Sequence, residues 1–145
     1  MSIPAVVVPI GQDHYAIAAE MVREVVADPR ATRLPTAPPV FLGAFNLRGE
    51  VVPMFDSAML LGIGRLARPS MAIVVNTRNG PAGLALSGLP RVIDLGEELA
   101  PSELRGTLGS YDADGDVAVL IDVEALLLVH TSVGGAMVGD EVVDR

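Results

Sequence analysis

The sequence predicts an all-β protein built as two small five-stranded β-barrels packed side by side and joined by short helices. Three observations predict it. The chain matches itself at a shift of about half its length; each copy is a series of short apolar runs separated by turn residues; and no helical stretch is long enough to cross over a parallel sheet.

The first copy opens with "AVVVPIGQDHYAIAAEMVREVV" (5–26), which lies ungapped over "AIVVNTRNGPAGLALSGLPRVI" (72–93) at a shift of 67. Each reads as an apolar strand, a polar hairpin turn, a second apolar strand and a third run ending in two branched residues. The prolines at 4 and 9 predict that the first strand lies at an edge, because proline cannot donate to a ladder.

Further along, "NLRGEVVPMFDSAMLL" (46–61) lies over "DADGDVAVLIDVEALL" (112–127) at a shift of 66. Gly49 meets Gly115 in a tight turn, a strand follows, and Asp56 meets Asp122 at the start of a short helix. The repeats divide one domain, residues 1–130, into halves of roughly 1–65 and 66–130. A C-terminal tail, 131–145, has little to order it. A strand set this small must curl to cover one face, and closure removes exposed edges.

Composition bounds the function. A chain of 145 residues can bury a core without staples, and it has no cysteine for a disulfide or thiolate metal site. Aromatic residues make up 3%, so the core must be built from Val, Leu, Ala, Ile and Met. The formal charge is −8 and every basic residue is arginine, with no basic stripe, which argues against nucleic acid. No apolar run approaches the ~20 residues of a membrane span, and the N-terminus has no signal-peptide pattern. The expectation is a cytoplasmic protein with no direct membrane insertion.

Candidate chemistry sorts quickly. "FDSAML" resembles the aspartic-protease signature, which would make Asp56 an acid in a dimer. The alternative is that Asp56 ends a strand and caps a helix. Asp122 holds the same place in "IDVEALLL", where no protease signature survives, which favours the cap. "DADGD" has Gly115 before, not after, its third acidic residue and Glu124 one late for a calcium loop. "GIGRLA" follows a helix, the wrong context for a dinucleotide fingerprint. His14 and His130 lack the convergent partners of a zinc site or a triad. No catalytic residue, metal or cofactor is expected.

Arg48 stands apart. The second copy places Asp114 at the same turn position, a residue suited to an Asp-Gly turn, whereas the first copy presents a long cation. Arginine is favoured at protein-binding hot spots. A structural alternative is an ion pair: Glu24 and Arg48 correspond to Arg91 and Asp114 with charges reversed, so each copy could hold one such pair. Positioning and partner binding are compatible roles.

These residues also carry a resemblance. "LPTAPPVFLGAFNLRGEVVPMFDSAMLLGI", preceded by "HYAIAAEMVREVV" and followed by "AIVVNTRNGPAGLALSGLPRVIDL" and "VAVLIDVEALLL", resembles the CheW-like domains of bacterial chemosensory adaptors over about residues 5–128. The resemblance implies two SH3-like β-barrels and a non-catalytic adaptor coupling methyl-accepting chemoreceptors, through their cytoplasmic tips, to the regulatory domain of the histidine kinase CheA. It implies partner-binding roles for Arg48 and Glu24, with Val22 on the strand lining a receptor groove, Gly43 where bulk is not tolerated, and Asn46 in the Asn-Leu-Arg-Gly core. Gly49, Asp56, Gly115 and Asp122 are left as structural corners. Service in a non-chemotactic chemosensory pathway, such as pilus motility or gene regulation, is the alternative output. Two departures stand out: Ser87 where relatives often have an acid, and a short "GEELAPSELRGTLGSYDADGD" stretch, which predicts a trimmed strand or loop in the second barrel.

Overall fold

The computed structural model describes residues 2–128, so the predicted tail, 131–145, and His130 lie outside the described residues. Within them the chain is all-β. The first copy supplies β1 (Ile3–Ile10), β2 (Asp13–Ala18), β3 (Val22–Ala27), β4 (Phe41–Leu47), β5 (Glu50–Asp56) and α1 (Ser57–Leu60). The second supplies β6 (Met71–Thr77), β7 (Gly80–Leu86), β8 (Arg91–Leu95), β9 (Glu98–Ala100), β10 (Thr107–Ala113) and β11 (Asp116–Ile121), followed by helical residues 123–128.

The strands form two sheets, ordered β8-β1-β2-β11-β10-β9 and β3-β6-β7-β5-β4. Neither sheet is one repeat unit, so the expectation that each half, 1–65 or 66–130, curls on itself is corrected. The turns at Ala19–Met21 and 87–90 carry β3 and β8 off their own hairpins and onto the other copy's. Val25 pairs with Ile73 and Val92 with Val6, the same register under the 67-residue shift. The exchange also creates two parallel pairs, β5 with β7 and β11 with β2, which no local connection predicts.

Packing explains the exchange. Ala5 and Val7 of β1 face a small-residue cluster with Ala16, Ile93, Ala113 and Ala118, while Val6, Val8 and Ile10 face the large cluster between the sheets. On β6, Ala72 and Val74 likewise pack with Phe45, Val52 and Met54, while Ile73 and Val75 face the shared core. Both strands are covered on both faces, which is why each reads as an unbroken apolar run. In the shared core Phe41 and Phe55 meet edge-on, with ring centroids 5.8 Å apart.

β1 is not an edge strand, contrary to what its prolines suggest. Its ladder to β8 spans Ile3–Val7 and its ladder to β2 spans Ala5–Ile10. Pro4 therefore has a neighbour only on the β8 side and Pro9 only on the β2 side, so each missing N–H falls where no ladder needs it. The short second-half stretch keeps its strand as the three exposed residues of β9 on β10.

Each sheet bends back on itself through short backbone bridges instead of a full ladder. Thr32, beyond β3, exchanges hydrogen bonds with Ala44 of β4 at 2.8 and 3.1 Å. In the other sheet the Gly96 N–H donates to the Asp112 carbonyl at 2.7 Å, and the Asp112 N–H to that of Glu97 at 3.0 Å. Gly43, beside the first bridge, and its counterpart Gly109, against Ala100 of β9, take φ +132° and +135° where each ladder shifts register. A Cβ on Gly43 would lie 2.6 Å from the Thr32 carbonyl oxygen.

Candidate functional site

The Asn46–Gly49 segment turns β4 into β5 with both central residues left-handed: Arg48 at φ +51° and Gly49 at +90°. Asp114 and Gly115 repeat this at +52° and +93°. Two positive φ values in sequence are the hairpin geometry that matches strand twist. The Asn46 side chain accepts the Gly49 N–H at 2.9 Å, and Asp112 accepts that of Gly115 at 3.1 Å. Asn46 thus pins the turn. The first copy tolerates a bulky residue in a left-handed position, where most side chains are disfavoured by about 1–2 kcal/mol.

Arg48 meets Glu24 of β3 in a two-pronged ion pair: Nη1 donates to Oε2 at 3.2 Å, and Nη2 donates to Oε1. β3 and β4 are opposite edges of their sheet, so the pair spans its closure. The guanidinium is therefore held, not free, yet 69% of the Arg48 side chain is exposed against 29% of that of Glu24. The hydrogen bond from Arg48 holds the Glu24 carboxyl below its ordinary value of 4.5, with the charges of Arg48 and Arg23 adding to it. The same bond and charge raise Arg48 above its ordinary value.

A second pair crosses the same closure with opposite polarity. Arg23 Nη1 donates to Glu50 Oε1 at 2.7 Å, and Arg23 Nε to Asn76 Oδ1 at 3.0 Å. Arg23, Glu50 and Asn76 were not singled out from the sequence. Comparing copies would have found Arg23, because Pro90 stands at its counterpart. The expected Arg91–Asp114 pair is corrected: Arg91 meets Asp116 instead, at 3.6 Å, since a short carboxylate at the turn tip lacks the reach of a guanidinium.

The remaining candidates separate. Val22 pairs with Val75 and leans on the inter-sheet core, and Gly43 is buried at the edge bridge. Asp56 is 1% exposed; its Oδ1 accepts the Met59 N–H and its Oδ2 the Leu66 N–H, each at 3.0 Å. Both oxygens serve backbone donors, so this buried carboxylate acts as the helix cap. Asp122 repeats the cap, accepting the Ala125 N–H at 3.1 Å. Among the described residues no cluster of His or acidic side chains could hold a metal ion, and no helix is long and apolar enough to cross a membrane.

The chain matches a known family. The model for the CheW-like domain covers residues 4–129. The chain belongs to the CheW-like domain family. Among CheW relatives, a probable chemotaxis protein CheW of Rhizobium etli is 30% identical over 128 residues, covering 81% of this chain and 82% of that protein. Chemotaxis protein CheW of Klebsiella aerogenes is 27% identical, covering 81% and 77%. In three dimensions the chain is similar to the CheW scaffolding protein of Thermoanaerobacter tengcongensis. The TM-score is 0.78 and the identity 27%, over 87% of this chain and 92% of that one.

Proposed function

We propose that this CheW-like chain is a non-catalytic adaptor that couples the cytoplasmic tips of chemoreceptors to the regulatory domain of the histidine kinase CheA. The observation that carries the reading is Arg48, exposed on a left-handed hairpin tip and clamped by Glu24 across the sheet closure. A rigid core that presents a guanidinium from a fixed turn suits recognition of a protein partner. Receptor tips are helical hairpins, and the exposed Val25 and Val51 beside the charged pairs offer apolar contact for such a helix. Relatives that bear the names chemotaxis protein and scaffolding protein support the adaptor class over an enzyme.

The test is binding of purified receptor tip and kinase regulatory domain to the wild type, Arg48→Ala and Arg48→Glu. Arg48→Glu should lose the receptor tip, keep the kinase domain and melt close to wild type. Absence of wild-type binding to either partner would remove the adaptor reading. Equal binding by all three chains would remove Arg48 from the interface.

A further inference from the structure

Four charged side chains cross the closure of the second sheet, and their order carries more than a single ion pair does. β3 supplies Arg23 then Glu24; the facing turn and strand supply Arg48 then Glu50. Arg23 pairs with Glu50 and Arg48 with Glu24. Glu24 thus sits next in sequence to one arginine and in contact with another. It is also the less exposed of the two, with 29% of its side chain exposed, while Arg48 at 69% is the group an incoming partner reaches first.

A partner carboxylate that engages Arg48 competes with Glu24 for the same guanidinium fork. Were Glu24 then left alone, its partly covered charge would oppose binding. Arg23 supplies the compensation, because it reaches the same hairpin as Glu24, and its hydrogen bond to Asn76 of β6, the neighbour of β3, holds it there whether or not Glu50 keeps its place. A basic partner group fits less well, since Glu24 is the more covered member of the pair and Glu50 is already engaged. The equivalent face of the second copy has Pro90 for Arg23 and, among the described residues, a single pair, Arg91–Asp116, so no such relay is formed there.

We propose that Arg23 is a specificity-determining member of the adaptor site: it takes over Glu24 when Arg48 turns outward, so that the site accepts an acidic side chain of its partner. This rests on the adaptor reading for the identity of the partner, while the hand-over itself is a property of the free protein.

Two measurements test it. In the free full-length chain, the Glu24 carboxyl is titrated by carbon-detected NMR. In Arg48→Ala it should still titrate below its ordinary value if Arg23 takes over, and in Arg23→Gln/Arg48→Ala it should rise to that value or above it, because the partial burial that opposes its charge remains. A return to the ordinary value in Arg48→Ala alone would overturn the hand-over. In the second arm, Arg23→Gln should weaken receptor-tip binding about tenfold, with Arg23→Lys restoring part of it, while in the Glu24→Gln background the same change should have little effect. An equal loss in both backgrounds would mean that Arg23 touches the partner itself, which overturns the relay. A wild-type chain that ignores the tip overturns the adaptor reading and the docking half of this inference, while the titration still decides the hand-over.

Discussion

At the scale of single residues, Asp56 and Glu24 show how two carboxylates in one chain take different work from their surroundings. Asp56 is buried with each oxygen on a backbone N–H, so Asp56→Ala removes a helix cap and orphans a second donor at Leu66. The expected cost is about 2–3 kcal/mol in urea unfolding, against about 1 kcal/mol for the singly bonded cap in Asp122→Ala. Glu24 is instead lowered by the hydrogen bond from Arg48. A depressed carboxyl adds stability above its unfolded value, and that stability is lost as pH falls through the folded one. Any stability advantage of wild type over Glu24→Gln should therefore be present above the ordinary value of 4.5 and shrink on acidification below it. Unfolding curves of both chains at neutral and acid pH measure this, and a difference independent of pH would contradict it.

At the scale of elements, the turns and corners were legible from sequence because their residues act locally. Gly49 and Gly115 take positive φ where the pattern placed hairpins, and Asp56 and Asp122 cap helices where the repeat placed corners. Gly43 was legible only through the family resemblance, because its constraint comes from Thr32, eleven residues away on another stretch of chain. The two kinds of glycine should respond differently to alanine. Gly49→Ala meets no atom within 4 Å and bears only the strain of φ +90°, about 1 kcal/mol. Gly43→Ala adds a Cβ 2.6 Å from a backbone oxygen at φ +132°, so the edge bridge must break, at about 3 kcal/mol or more. Thermal unfolding of the two variants should rank them in that order.

At the scale of the whole molecule, strand partners were not legible. A run such as "AVVV" or "AIVV" declares that both faces are covered, but not by which strand, and the nearest neighbour in sequence is not the one chosen for β3 or β8. The copies are units of sequence that complete each other in space: β3 needs β6, β8 needs β1, β5 needs β7 and β11 needs β2. Chains of residues 1–65 and 66–145 should each lack cooperative unfolding alone and should regain a single transition when mixed. Independent folding of either fragment, seen by circular dichroism and size exclusion, would contradict the exchange. Arg91 teaches the same lesson at closer range, since its carboxylate partner, Asp116, lies two residues beyond the one the repeat suggested.

The direct test of the central claim, that the closure pair serves recognition as well as architecture, is receptor-tip binding by the charge-swapped chain Glu24→Arg/Arg48→Glu. The swap keeps an ion pair across the closure but inverts the charge at the exposed tip. The expected result is a folded chain that melts near wild type, binds the kinase regulatory domain and has lost the receptor tip. A swapped chain that binds the tip as wild type does would make the pair purely structural and contradict the account.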